Sequence, residues 1–583
     1  MGVKVHKRLF FALLLFSICV GPLSAQFLEG INPPKAKRIA KVTNIHGKRL
    51  VDHYFWLRGK KKPEVLNYLK AENAYTKKMM ASTQKLQKTL FDEMVSRIKE
   101  TDLSVPERLG AYHYFSRTEK GKQYKYHFRK KGSLASKEEL ILDENALAKG
   151  KEYFSLGAFE LCPRQRLLAI ACDFNGSERY VIRVKDLATG KFLGDEIRNV
   201  CCDIAWAKDG KTFFYTVPND AERPHRVYRH VLGTVASQDV LVYEDKDEAF
   251  SVGVSRTKDW DWIVISTGSS TSSESWYLDG ANPKGKFKLF AKRRRKVEYS
   301  LYHHKNQFFI LTNDGAVNFK VYVAPADNPV RSSWRVFIPH RKGTKVDGLD
   351  VFKSHLVVYE RKNALRTMRY FDFDQKSFRP ITFPEPVYTY YRDTNDEYDT
   401  DQVRFTYTSF TTPDSVYDFN LNTGERVLKK RKEVKGGFNP NDYVSERLWA
   451  PSHDGVKVPL SIMYKKGALR KGGNFVYMTG YGAYGDPYDP YFSSNRLSLV
   501  DRGFVYAIAQ IRGGEDMGRP WYNDGRLFKK RNSFLDFIAC GKHLIELGYS
   551  RKGLLAIQGG SAGGLLMGAV TNMATSLWGA VVA

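Results

Sequence analysis

Residues 108–430 constrain the fold of this chain most. Short runs rich in Tyr, Phe, Val and Ile, such as 112–116, 180–184, 212–216, 262–266, 308–312 and 356–360, alternate with turn signals, and helical periodicity is almost missing. The pairs Asn175-Gly176, Thr189-Gly190, Asp209-Gly210, Asp314-Gly315 and Thr423-Gly424 have the chemistry of hairpin loops. Roughly 300 residues of antiparallel strands are too many for an ordinary sandwich. Radial units of four strands and about 45 residues predict about seven blades. No strict repeat motif is visible, so the all-β, seven-bladed propeller (108–440) rests on strand density and length.

The texture changes at both ends of this region. Residues 27–62 read as irregular and basic. Pro63 opens a helix, and a second helix carries Leu86, Leu90, Met94 and Ile98, which predicts one buried stripe. Residues 26–107 are thus a helical lead-in, expected to pack on the C-terminal domain. From 441 onward, a hairpin around His453-Asp454-Gly455 precedes three near-continuous apolar runs at 475–479, 503–511 and 553–558. An amphipathic helix over 533–547 separates the last two. Such alternation predicts a doubly wound, mostly parallel α/β sheet, the α/β-hydrolase type, over 441–583 and incomplete at its C-terminal end.

The run ending at Gln558 meets Gly559-Gly560-Ser561-Ala562-Gly563-Gly564 and then a small-residue helix. This is the pattern of a nucleophile elbow, with Ser561 as nucleophile and the N–H of Ala562 as an oxyanion donor. A side chain at Gly559 or Gly563 is expected to collide with the neighbouring strand or helix. The alternatives are a glycine-rich helix start or a phosphate-cradling turn, and the Lys and Thr of a P-loop are absent. A serine hydroxyl needs a base oriented by a third group. On this type of sheet the acid and the histidine follow the serine, yet residues 562–583 hold no His, Asp or Glu. His453 and His543 both precede it. The triad Asp and His are therefore not in these 583 residues, and a chain of these residues alone is expected to be inactive. The second oxyanion donor is expected in the loop Gly480-Tyr481-Gly482-Ala483-Tyr484-Gly485. A hydroxyl from Tyr481 and a glycine turn with aromatics plugging a domain boundary are equally compatible with that position.

The charge is strongly basic, 93 Lys+Arg against 63 Asp+Glu. No helix-turn-helix, RNP or zinc-finger pattern accompanies it, so a solvated surface is favoured over nucleic-acid binding. Residues 1–25 combine Lys4, Lys7 and Arg8, an apolar run from Leu9 to Val20 and small residues before Gln26. That is a signal peptide, so export to the periplasm or outside is expected, with no membrane association after cleavage. Cys162, Cys172, Cys201, Cys202 and Cys540 show no metal spacing and are expected to be buried, although Cys162 and Cys172 could bridge adjacent strands. No metal or cofactor is signalled.

Several stretches resemble the prolyl oligopeptidase family of serine peptidases, in its oligopeptidase B branch: Val51-Asp52-His53-Tyr54-Phe55-Trp56-Leu57-Arg58, Ala71-Glu72-Asn73-Ala74-Tyr75, Tyr228-Arg229-His230-Val231-Leu232-Gly233-Thr234, Asp501-Arg502-Gly503-Phe504-Val505-Tyr506-Ala507 and the elbow itself. The resemblance runs from about residue 35 to 583. It implies a propeller that admits only short peptides to a hydrolase domain, cleavage after Lys or Arg, Tyr481 as the oxyanion tyrosine and Tyr484 on the substrate side. Arg512-Gly513-Gly514-Glu515-Asp516 departs from the family pattern, where a third glycine often precedes an acid. The expected function is a serine oligopeptidase. A catalytically incomplete or peptide-binding propeller protein, and a prolyl-specific or aminopeptidase relative, are the alternatives.

Overall fold

The computed structural model describes residues 31–583, so the signal peptide expected over residues 1–25 lies outside the described residues. The chain divides into two compact units, one ending at Val95 and one spanning Ser96–Ala583. In the first, Lys41–Ile45 pairs with Lys48–Asp52 across His46-Gly47. Both turn residues have positive φ, as a two-residue hairpin loop requires. The irregular reading of this stretch is thereby corrected. All ten strand residues are exposed, so neither face carried an apolar alternation to read. Helices Pro63–Met79 and Gln84–Ser96 follow. The expected stripe on the second is not buried, with Leu86 51% and Ile98 47% exposed.

The second unit begins with seven antiparallel sheets, one of five strands and six four-stranded meanders. They form a seven-bladed propeller. Its first blade starts earlier than residue 108, because Asp102–Leu103 and Glu107–Leu109 both pair with Tyr112–Thr118. The hairpin chemistry is local. At Asp209 the carboxylate accepts from the N–H groups of Lys211 and Thr212, fixing the turn before the strand Thr212–Pro218 starts. Neighbouring blades share apolar layers. Ala169 and Ile182 of the second pack with Trp206 and Phe213 of the third, and Tyr370 of the sixth packs with Tyr390 and Phe405 of the seventh. The first and seventh blades share no strand. Their join is made by Lys430 Nζ on Asp102 Oδ2 (2.5 Å), Arg404 on the Pro106 carbonyl (2.9 Å) and the Gly110 N–H on Glu397 (2.7 Å).

The remaining sheet has six strands in the order Tyr443–Pro451, Lys457–Lys465, Val505–Ala509, Val476–Thr479, Leu555–Gln558, Trp578–Val582. The first two form an antiparallel hairpin, and the last four run parallel. Val505–Ala509 is buried along its whole length, as a strand covered on both faces must be. Helices Arg531–Glu546 and Ala562–Met573 contribute Phe537, Leu544, Leu566 and Met567 to the core around Ile462, Val476 and Ile557. The cysteines depart from expectation. Cys162, Cys172 and Cys540 are buried, but Cys201 is only partly so and Cys202 is exposed, and all five are free thiols. No disulfide links Cys162 to Cys172.

Candidate active site

Ser561 stands between the strand Leu555–Gln558 and the helix Ala562–Met573, with φ 55° and ψ −122°. That region is rarely adopted by a residue with a side chain and costs of order 1–3 kcal/mol. The strain puts the serine on the surface at the strand's end. Its carbonyl accepts from the Gly564 N–H (2.9 Å), while its side chain makes no hydrogen bond among the described residues. The glycines around it differ in need. A Cβ on Gly559 would stand 2.4 Å from the Gly563 carbonyl oxygen, which no relaxation short of moving backbone relieves. A Cβ on Gly563 would sit 3.1 Å from the Gly480 carbonyl oxygen and 3.5 Å from the Tyr481 ring. Gly560 has nothing within 4 Å, and Gly564 meets only the Gly559 carbonyl at 3.8 Å.

Those contacts bring Tyr481 against the first turn of the elbow helix. The Ala562 N–H opens the helix and has no backbone acceptor among the described residues, which leaves it one of the free donors of a helix N-terminus. Ser561, Ala562 and Tyr481 are thus brought together at the strand's end. Tyr484 is 78% exposed, has φ 59°, and its ring centre lies 6.4 Å from that of Tyr481. His453 faces Ser452 in the hairpin turn, and His543 lies against Glu546 on its own helix. Neither is bonded to the serine.

The loop 512–519 is an ionic hub rather than a plain glycine turn. Arg512 donates to Asp536 (2.6 and 2.8 Å) and Asp454 (2.6 Å), tying the hairpin turn to the long helix. Glu515 pairs with Lys345 (2.7 Å) and Arg519 (2.8 Å), and Arg519 pairs with Glu298 (2.8 Å). Asp489 accepts from Arg361 (2.7 and 3.0 Å) and Arg366 (2.8 Å) of the sixth blade. Burial alone would raise the Asp489 carboxyl, but the two guanidinium groups outweigh it and hold it well below the usual range. Asp516, which lies one residue past Glu515, has no such ion pair among the described residues. Buried and held by the Tyr488 N–H (2.9 Å) and Gln510 (3.1 Å), it is pushed up to about 6. Sequence reading missed this hub, because its partners lie far apart in the chain. The acid-rich run after Arg512 was the one available signal.

Among the described residues, Asp259, Asp261 and His303 are grouped closely enough to hold a cation. Two of these groups are engaged internally, while His303 Nε2 is buried without a hydrogen-bond partner among the described residues. His303 Nδ1 bonds Asp259 (2.6 Å), and Asp261 pairs with Lys208.

Residues 33–432 match the N-terminal β-propeller domain of prolyl oligopeptidase, and residues 490–583 match the prolyl oligopeptidase family domain. The chain is 43% identical over 576 residues to dipeptidyl aminopeptidase BI of Pseudoxanthomonas mexicana, covering 95% of this chain and 79% of that protein. It is 35% identical to Protease 2 of Moraxella lacunata, covering 94% and 80%. Oligopeptidase B from Leishmania major superposes with a TM-score of 0.89 at 32% identity, over 95% of this chain and 82% of that one. A strand-to-helix serine under strain, in a domain joined to a seven-bladed propeller and matched along nearly the whole chain, leads to one assignment: the chain belongs to the prolyl oligopeptidase family of serine peptidases.

Proposed function

We propose that Ser561 is the acylated nucleophile of an oligopeptidase that cleaves short peptides after Lys or Arg. The observation that carries the serine's role is the conjunction of its strained backbone with the free Ala562 N–H and the adjacent Tyr481. Attack of Ser561 Oγ on a peptide carbonyl moves negative charge onto the carbonyl oxygen. On this reading the Ala562 N–H and the Tyr481 hydroxyl hold it, and removing one such donor typically costs about 10²–10³ in kcat. Among the described residues neither His453 nor His543 bonds Ser561, so on this reading a chain of these residues alone lacks the base that the serine needs and is expected to be inactive. The propeller is the size filter, Tyr484 lies on the substrate side, and the charge–apolar–small pattern of residues 1–25 supports export. Neither a nucleic acid nor a metal or cofactor enters this reading.

Preference for basic residues is supported by the likeness to Protease 2 and to oligopeptidase B. A second reading, release of dipeptides from a free N-terminus, is favoured by the 43% identity to a dipeptidyl aminopeptidase. Fluorogenic amides separate them in the active enzyme: N-blocked Arg and Lys substrates, an N-blocked Pro substrate, and unblocked dipeptide substrates. Preferential turnover of the blocked basic substrates is expected, abolished in S561A. Turnover confined to unblocked dipeptides would overturn the endopeptidase reading.

A further inference from the structure

Lys530 precedes the helix Arg531–Glu546, at the end where the macrodipole is positive and a cation is least welcome. It is partly buried, and burial pulls its ammonium below the ordinary lysine range. No carboxylate pairs with it among the described residues. Its ammonium instead donates to the carbonyl of Gly482 and lies 3.4 Å from Ser533 Oγ. An unpaired cation held against both burial and the helix field needs a reason at the atom it touches.

That atom belongs to the residue after Tyr481. The loop around it has little slack. Gly482 has φ 66°, and a Cβ there would stand 2.6 Å from Ile511 and 3.0 Å from the Arg512 carbonyl oxygen. A Cβ on Gly480 would stand 2.8 Å from the Phe537 ring, and one on Gly513 would stand 2.0 Å from the Gly482 carbonyl oxygen. Ser533, fully buried, donates to the Arg512 carbonyl (2.6 Å) and so fastens the second of these backbones to the same helix end. The strand-end loop is therefore clamped on its two glycine sides by packing, and the carbonyl of its peptide plane past Tyr481 is held by one charged donor, Lys530, with the Ser533 hydroxyl a longer contact at 3.4 Å. A charge-assisted bond is roughly twice as strong as a neutral one. An oxyanion donor must be held to about 0.5 Å to act.

We infer that Lys530 is a positioning residue for the oxyanion hole, acting through the Gly482 carbonyl to hold the Tyr481 hydroxyl in place. The inference rests on the reading of Tyr481 as an oxyanion donor. Lys530 touches neither substrate nor nucleophile. Its loss lets the carbonyl turn and the tyrosine swing, weakening transition-state binding while leaving ground-state peptide binding intact.

A double-mutant cycle on the active enzyme tests this. K530M is expected to lower kcat about tenfold to a hundredfold, less than the ~10²–10³ expected for Y481F, with KM changed less than about twofold. On the Y481F background, K530M is expected to lower kcat by less than about twofold further, because the group it positions has gone. Equal losses in both backgrounds, or a KM effect larger than the kcat effect, would overturn the inference, since a general folding defect multiplies. Should K530M not fold, K530Q is read on the same cycle. If Y481F has no effect, the Tyr481 reading falls and this inference with it. If Y481F is impaired and K530M is not, only the role of Lys530 falls.

Discussion

Asp489 offers the sharpest perturbation of the join between the propeller and the hydrolase sheet. Its side chain is 7% exposed, that of Arg361 is 1% exposed, and three hydrogen bonds of 2.7 to 3.0 Å converge on the one carboxylate. D489N keeps the shape and removes the charge, leaving the two guanidinium groups with the longer ion pair from Arg361 Nε to Asp347 (3.7 Å) in place of three short bonds. Breaking a buried pair from one side typically costs about 3–5 kcal/mol. At about 1.4 kcal/mol per tenfold, that weakens the closed arrangement by roughly two to three and a half orders of magnitude. Each side has an apolar core of its own, and Val387 and Phe410 of the seventh blade share a further cluster with Met463, Leu497 and Tyr506, so the loss falls on the ionic part of the join rather than on either fold. Small-angle scattering of D489N is expected to give a larger radius of gyration, and a ladder of peptides of increasing length is expected to be cleaved further up. R361M/R366M/D489N, which replaces the charges by apolar groups, is expected to recover compactness. Unchanged dimensions and an unchanged length limit in D489N, with only a lower melting temperature, would refute the reasoning.

G559A and G560A make a matched pair at the elbow. The first places a methyl 2.4 Å from a backbone oxygen and is expected to cost more than about 2 kcal/mol and to abolish activity, whereas the second meets open space and is expected to fold normally. Thermal melts and activity of the two variants check this, and equal melting temperatures would contradict it. Asp516 holds its proton up to about 6 in the folded chain, so between the ordinary carboxylate range and that value the folded chain binds more protons than the unfolded one. The stability this group contributes is full below about pH 4 and is lost as pH rises through about 6. D516N is expected to lose less stability than the parent between pH 4.5 and 7.5 in denaturant titrations, and parallel curves would count against it.

Elements with local chemistry were legible in the sequence. The glycine pairs marked the hairpins, blade count followed from length, and the elbow was complete within six residues. What escaped had no local cause. The hairpin at 41–52 buries neither face, so no alternation marks it. The split inner strand at 102–109 is two and three residues long, too short for any period. The pairing of Arg361 with Asp489 spans 128 positions, and a charge carries no information about its partner until the chain has folded. Lys530 lies in the basic run Lys529-Lys530-Arg531 with no local mark of its role, because only the third dimension puts a carbonyl beside it.

The propeller's first and last blades meet without sharing a β-ladder. A ring closed by an exchanged strand must unzip peptide hydrogen bonds to part. This one is clasped by a few lysine, arginine and glutamate side chains, beside a hollow of about 770 Å³. Dissolved salt reaches such a clasp before it reaches any sheet, so ionic strength is the dial that would ease the annulus apart while every blade stays whole.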